Sequence, residues 1–379
     1  MGAAAALALA LGSSACAVTF RDVPREGRNE VPTYLGDESR ATTALEVVDS
    51  APEQIWRANA GRGTLGLPAV GERVTAIATV DRWVYAIDTR TGRLFWRWRA
   101  DGPHGTGPVM GDGRVFAATE GGEGKLTAIN LFSGKKRWQA RIGDIAAPLT
   151  LADGTLYGTS MSGFAFAYRA ENGRRLWTRV VGPSRSGVLV LGTHALVVSV
   201  TDTAFVLNRE TGSVTARAGL PLTTVAPLAR IDDSTAAVGS PSGEVFAVRV
   251  PSGDVAWRVR TGDPVFGSPV VVGDTVYALS NRCTLWVIPA ANPAAADSVP
   301  IAQADSAASR CVTVAAPAVV RDGVLVATVG GEVLFYSRKT GKREWTLRAR
   351  PRGELRHPPV VRNGQIIVAP IVGEVVSFR

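Results

Sequence analysis

Three histidines, three cysteines and scattered carboxylates are the groups with which this 379-residue chain could bind a metal or attack a substrate. His104, His194 and His357 lie far apart, and no pair has the short spacing that presents two metal ligands from one strand or turn. Asp232 and Asp233 are adjacent, but they fall in a stretch that reads as a hairpin turn. The runs Gly121-Gly122-Glu123-Gly124 and Gly330-Gly331 lie between strand-like segments rather than ahead of a helix. They therefore lack the setting in which backbone N–H groups cradle a phosphate. The reading is no catalytic residue, no cofactor-binding set and no metal site.

What recurs instead is a turn followed by a large ring. Thr91-Gly92 precedes Trp96, Ser133-Gly134 precedes Trp138, and Asn172-Gly173 precedes Trp177. Ser252-Gly253 precedes Trp257, and Thr340-Gly341 precedes Trp345. Thr211-Gly212 keeps the turn but has Ala216 in place of the ring. With Trp56, the tryptophans repeat at about 40 residues, which is the period of a repeat architecture. Each unit reads as four short strands. In one of them Pro148–Leu151, Thr155–Thr159, Phe164–Tyr168 and a strand opening at Leu176 are separated by Asp153-Gly154, Ser162-Gly163 and Asn172-Gly173. Strands rich in Val, Leu, Phe and Tyr between turn residues, repeated at this length, predict the blades of a β-propeller. A β-sandwich does not account for the period. The tryptophans 56, 96, 138, 177, 257 and 345 read as packing between blades, each burying roughly 200 Å².

First strands are expected near Pro108, Pro148, Ser186-Gly187-Val188, Pro227, Pro269, Pro317 and Pro359, with Arg73-Val74-Thr75 opening the first unit. That makes an all-β, eight-bladed ring over residues 51–379. The last unit stops after three strands, and Gln54-Ile55-Trp56-Arg57 reads as a fourth strand with nothing before it. Using it to complete the last blade removes two open sheet edges.

Ahead of the ring, residues 1–16 carry no charge and hold a nine-residue apolar run, Ala3 to Leu11, too short to span a bilayer. Small residues then lead to Cys16. This reads as an export signal with a lipid-bearing cysteine; Ala15-Cys16-Ala17 equally fits an ordinary signal cut. Residues 17–50 read as a polar tether, or else as a strap laid along the ring. An Ala- and Pro-rich insertion at 289–311 replaces the expected turn and tryptophan of the sixth unit, and Cys283 and Cys311 flank it. In an exported protein these two are expected to form a disulfide; two buried thiols are the alternative.

The run Val84-Tyr85-Ala86-Ile87-Asp88 through Thr91-Gly92 to Trp96 resembles the pyrroloquinoline-quinone-type propeller repeat, and the resemblance covers residues 51–379. The length, the eight units and the lipoprotein-like start resemble the BamB-type lipoproteins of outer-membrane β-barrel assembly. That resemblance implies a non-enzymatic scaffold, lipid-anchored at the periplasmic face of the outer membrane, acting as a monomer within the barrel-assembly complex. The alternative is a quinone-dependent propeller enzyme. Many of those are similar in the repeat but use a vicinal cysteine pair and a carboxylate-held calcium, and this chain has no adjacent cysteines.

The formal charge is +9, and of 42 basic residues only five are lysines. Arg93, Lys135, Lys136, Arg174, Arg175, Lys342 and Arg343 all follow the turn before a fourth strand, so one face of the ring should be basic. Charge beside an outermost strand blocks pairing with other chains. The same charge suits an anionic membrane surface or an acidic partner. Nucleic acid is not an expected partner of an exported protein.

Overall fold

The computed structural model describes residues 46–48, 52–121, 123–221, 223–301, 311–349 and 353–379. The signal-like segment with Cys16, and the tether up to residue 45, lie outside the described residues. Among the described residues, thirty-two strands form eight antiparallel sheets of four. The first strands of successive sheets neighbour one another from Val109–Gly111 around to Val360–Arg362, as the inner wall of a propeller requires.

Blade 1 differs from the sequence reading at its opening. Its innermost strand is Ala69–Val70, directly after Pro68, and Val74–Ala78 is the second strand. Alanine after that proline hid the Pro-Val signal, and the strand is only two residues long. The second and third strands are sandwiched by neighbouring blades, so they are buried on both sides; Val74–Ala78 is buried throughout. Such strands read as continuous apolar runs. Fourth strands face outward, and Val214–Gly219 alternates between exposed and half-buried.

The tight hairpins between first and second strands place Asp112 and Gly113, Asp153 and Gly154, and Asn363 and Gly364 at positive φ. Two consecutive residues of that kind are what a type I′ turn demands. Between third and fourth strands, Gly92 N donates to the Asp88 carbonyl at 2.8 Å with φ +70°. Asp88 Oδ1 accepts from the backbone N of Arg90 and Thr91.

The ring closes with its own beginning. Gln54–Asn59 pairs antiparallel with Glu374–Phe378 as the outermost strand of blade 8, Trp56 opposite Ser377. Glu53 and Arg379 exchange backbone hydrogen bonds of 2.8 and 2.9 Å at one end, and Ala60 N donates to the Gly373 carbonyl at the other. Just before this strand, the backbone N of Arg321 donates to the Glu46 carbonyl, and Val48 is buried among blade 7 and 8 residues. In blade 6 the insertion forms a short turn of helix, Pro293–Ala295, and the fourth strand survives as Asp297–Pro300. The core is divided into apolar layers between adjacent blades, such as the layer of Ala69, Phe95, Trp96, Met110 and Ile129 between blades 1 and 2.

Candidate functional site

The repeated tryptophans sit at the joints. The indole N–H groups of Trp56, Trp96, Trp138 and Trp177 donate to the carbonyls of Thr89, Leu131, Ala170 and Arg209, at 3.1, 2.7, 2.9 and 2.9 Å. Each acceptor lies in the turn of the next blade. The same rings lie over Gly92, Gly134, Gly173 and Gly212 of those turns, where an added methyl would come within 2.5–2.8 Å of indole carbons. Room for each ring on its own sheet comes from a small partner: Ala86, Ala128, Ala167 and Ala247 stand opposite Trp96, Trp138, Trp177 and Trp257. A bulge follows each of these pairs and turns the fourth strand.

Four joints depart from this plan, each for a visible reason. Between blades 6 and 7 the fourth strand Asp297–Pro300 carries no tryptophan, and the nearest atom to a methyl added at Gly341 is the Tyr336 hydroxyl at 3.7 Å. At Ala216 the ring is missing, and Gly253 faces Ala218 instead. Trp257 meets the insertion of blade 6 and packs with Ala290 and Ala296. Trp345 faces blade 8, whose fourth strand comes from the N-terminus, so no turn opposes it. It stacks on Phe335 with centroids 4.8 Å apart, and its indole N is buried without a partner.

Cys283 and Cys311 are disulfide-bonded with Cα atoms 5.8 Å apart. They tie the second hairpin of blade 6 to the segment entering blade 7. Asn281 reinforces that crossing by donating through Nδ2 to the Thr313 carbonyl at 2.7 Å.

Of the histidines, His104 is 1% exposed, and its Nδ1 lies 2.8 Å from the Ala118 carbonyl. It occupies a position repeated in all eight blades, in the loop entering each first strand: Thr64, His104, Ile145, Ser184, Thr224, Val265, Thr313 and Leu355, all buried. Ser184, Thr224 and Thr313 donate to the carbonyls of Val198, Gly239 and Ala327, the equivalents of Ala118. His104 is thus a loop anchor that does a hydroxyl's work. Burial holds its imidazole below the ordinary range, against the pull of the Ala118 carbonyl. His357 lies 2.7 Å through Nε2 from the Leu65 carbonyl and is likewise held low by burial. His194 contacts the Thr193 hydroxyl at the edge of blade 4.

Carboxylates are mostly engaged in turns and ion pairs. Asp232 accepts from Ser234 in its hairpin, and Asp233 pairs with Arg230. Burial raises the Glu120 carboxyl, and neighbouring Asp144 raises it further while Arg185 opposes the shift. Among the described residues no three His, Cys, Asp or Glu converge as a metal-binding group.

The outer rim varies most. One register position, pairing the start of the third strand with the end of the fourth, carries Trp83 and Arg99 in blade 1 and Lys125 and Arg141 in blade 2. Blade 5 has Glu244 with Arg260, and blade 7 has Glu332 with Arg348, both ion-paired. Blade 3 alone carries an apolar pair, Phe164 with Val180, 40% and 71% exposed. Arg97 lies 4.6 Å from the centroid of the Trp83 ring. The seven basic residues that follow the fourth-strand turns are all exposed, in blades 1, 2, 3 and 7. Neither the rim pair nor the loop anchor stood out in the sequence, because each is recognisable only when the blades are superimposed register by register.

Comparison with known proteins gives the following likenesses. A family model described as outer membrane protein assembly factor BamB matches residues 43–141, 120–217 and 207–378, overlapping stretches that together run through all eight blades. Outer membrane protein assembly factor BamB of Shewanella oneidensis is 25% identical over 281 residues, covering 67% of this chain and 68% of that protein. The quinoprotein alcohol dehydrogenase PedH of Pseudomonas putida is 27% identical over 204 residues, 45% of this chain and 34% of that protein. The crystal structure of BamB from Moraxella catarrhalis shares the fold, with TM-score 0.69 at 16% identity over 87% of this chain and 98% of that one.

Proposed function

The chain belongs to the outer membrane protein assembly factor BamB family, and we propose that it acts there as a non-enzymatic scaffold that binds partner proteins of outer-membrane β-barrel assembly. The observation that carries this reading is the exposed apolar pair Phe164 and Val180 on the rim of blade 3, where blades 5 and 7 carry ion pairs. An exposed apolar pair at a position that blades 5 and 7 fill with ion pairs is where a partner protein could seat an apolar side chain. The groups capable of chemistry support it too, since the described histidines and many of the carboxylates are committed to anchoring, turns and ion pairs. In this reading the protein is exported, lipidated at Cys16 and held at the periplasmic face of the outer membrane, a monomer within the assembly complex. The Cys283–Cys311 bond suits that oxidising compartment.

The test is capture with the full-length protein from cells in mild detergent. The wild type is expected to recover the outer-membrane assembly barrel, and Val180→Asp to recover much less at equal expression. Recovery of nothing by well-expressed wild type would sink the proposal. The likeness to PedH favours one second reading, a quinone-binding propeller. Its test is the absorption spectrum and dye-linked oxidation after addition of pyrroloquinoline quinone and calcium, and turnover would establish it over the scaffold.

A further inference from the structure

At the joint between blades 2 and 3, on the face of the fourth-strand turns, lies an open cleft of about 650 Å³. Its walls include Arg114, Asn130, Phe132, Arg137, Trp138 and Glu171. The cleft has a cause that a comparison with the preceding joint exposes. In blade 1 the residue equivalent to Arg114 is Val74, which pairs with Asp88 as Arg114 pairs with Asn130. The residue equivalent to Arg137 is Phe95, each standing at the bulge just before its tryptophan. Both are buried, 7% and 2% exposed, in the layer that packs against blade 2. Blade 2 has arginine at both positions, so two long cationic side chains stand where blade 1 buries apolar ones.

Arg114 is poorly satisfied, and Arg137 is exposed with its guanidinium open to a ligand. Arg137 makes no hydrogen bond or ion pair among the described residues, and Arg114 spends one Nη1 contact of 2.6 Å on the Asp112 carbonyl. Arg114 Nε is buried without a partner. A buried guanidinium nitrogen left unpaired costs free energy, which an arriving acceptor would recover. Beside the two cations stand the Trp138 and Phe132 rings, flat apolar surface next to a carboxylate receptor. Asn130 spends its Oδ1 on Phe132 and Ser133, and Glu171 is exposed at the far wall. The Glu171 and Asp112 carboxylates disfavour a highly charged phosphate and can accept peptide N–H groups.

We propose that this cleft is a binding site for a short extended peptide, holding a carboxylate on Arg114 and Arg137 and a neighbouring apolar side chain on Trp138 and Phe132. The volume is within the range of small-ligand pockets. The carboxylate is either an acidic side chain or a chain terminus. The site does not depend on which complex the protein joins, so it stands or falls separately from the scaffold reading.

The test uses the full-length protein with fluorine-labelled tryptophan, whose Trp138 resonance is assigned with Trp138→Phe. Three probes are titrated: acetyl-Thr-Phe-Glu-Phe-Thr-amide, the same peptide with Gln for Glu, and the Gln peptide with a free C-terminal carboxylate. A carboxylate-bearing probe is expected to move the Trp138 signal saturably, and the difference between the two shows which carboxylate is preferred. The amide-capped Gln peptide and the Arg137→Ala protein are each expected to bind about tenfold more weakly, the effect of one charge-assisted hydrogen bond. Arg137→Phe, which restores the residue of blade 1, is expected to abolish binding while the other eight tryptophan signals stay in place. A Trp138 signal unmoved at millimolar peptide, or equal binding by Arg137→Ala, overturns the proposal.

Discussion

A single side chain shows how this ring tolerates chemically able residues without using them for chemistry. His104 fills a position where other blades place Ile145, Val265 or a hydroxyl, and the Ala118 carbonyl fixes its Nδ1. Its Nε2 is buried without a partner, so protonation would bury an uncompensated charge. Burial holds its folded pKa below the unfolded value near 6.5. The sign then follows: below about pH 6.5 the unfolded chain takes up a proton that the folded one refuses, so stability falls with acidification and rises with pH. The loss continues until the lower, folded pKa is passed. His357 contributes in the same direction. His104→Ile, the choice of blade 3, is therefore expected to remove about half of the histidine-linked slope in unfolding free energy between pH 6.5 and 5. Denaturant titrations at several pH values check it, and an unchanged slope would show that His104 is not the refused proton.

Turns and joints are the elements in which sequence and structure meet most directly. The glycine of each fourth-strand turn adopts positive φ, but only some of these glycines also lie under an indole. At Gly134 an added methyl sits 2.8 Å from Trp96 Cδ2 at φ +65°, whereas at Gly341 the nearest atom is the Tyr336 hydroxyl at 3.7 Å, with φ +66°. Both alanine variants suffer the left-handed backbone, roughly 1 kcal/mol; only Gly134→Ala must also push a ring out of its seat. Expected losses are about 1 kcal/mol for Gly341→Ala and about 2–4 kcal/mol for Gly134→Ala, read from urea midpoints. Equal losses would mean the indole is not locked against the turn. The sequence displayed this element plainly, since a Thr-Gly or Ser-Gly step four residues before a tryptophan is a local pattern. It did not display Pro68-Ala69-Val70 as a strand, because two residues carry no period. Phe164 with Val180, and Arg114 with Arg137, were equally hidden. Their meaning lies in being unlike the same register positions of other blades, and a register exists only once the sheets are paired.

For the whole molecule, closure is the feature on which every joint depends. Seven blades are continuous in sequence and form locally, but blade 8 needs strands drawn from both ends of the chain. Gln54–Asn59 therefore pairs across more than 300 residues, and Trp56 carries the joint onward by donating to Thr89 and lying over Gly92 of blade 1. Removing residues 1–59 takes away this strand, the Glu53–Arg379 bonds and the buried Val48 at once. It leaves Glu374–Phe378 as a bare edge, and an exposed edge of paired-strand geometry recruits other chains. The shortened protein is expected to self-associate in sedimentation experiments and to unfold at clearly lower denaturant. A synthetic peptide spanning 52–60, added in excess, is expected to restore part of the midpoint, because it refills the same edge. A truncated ring that stays monomeric with an unchanged midpoint would show that the seven continuous blades hold the circle without the N-terminal strand. A midpoint that falls but does not respond to the peptide would place the loss in Glu46 and Val48 instead, where the approaching chain rests on blades 7 and 8.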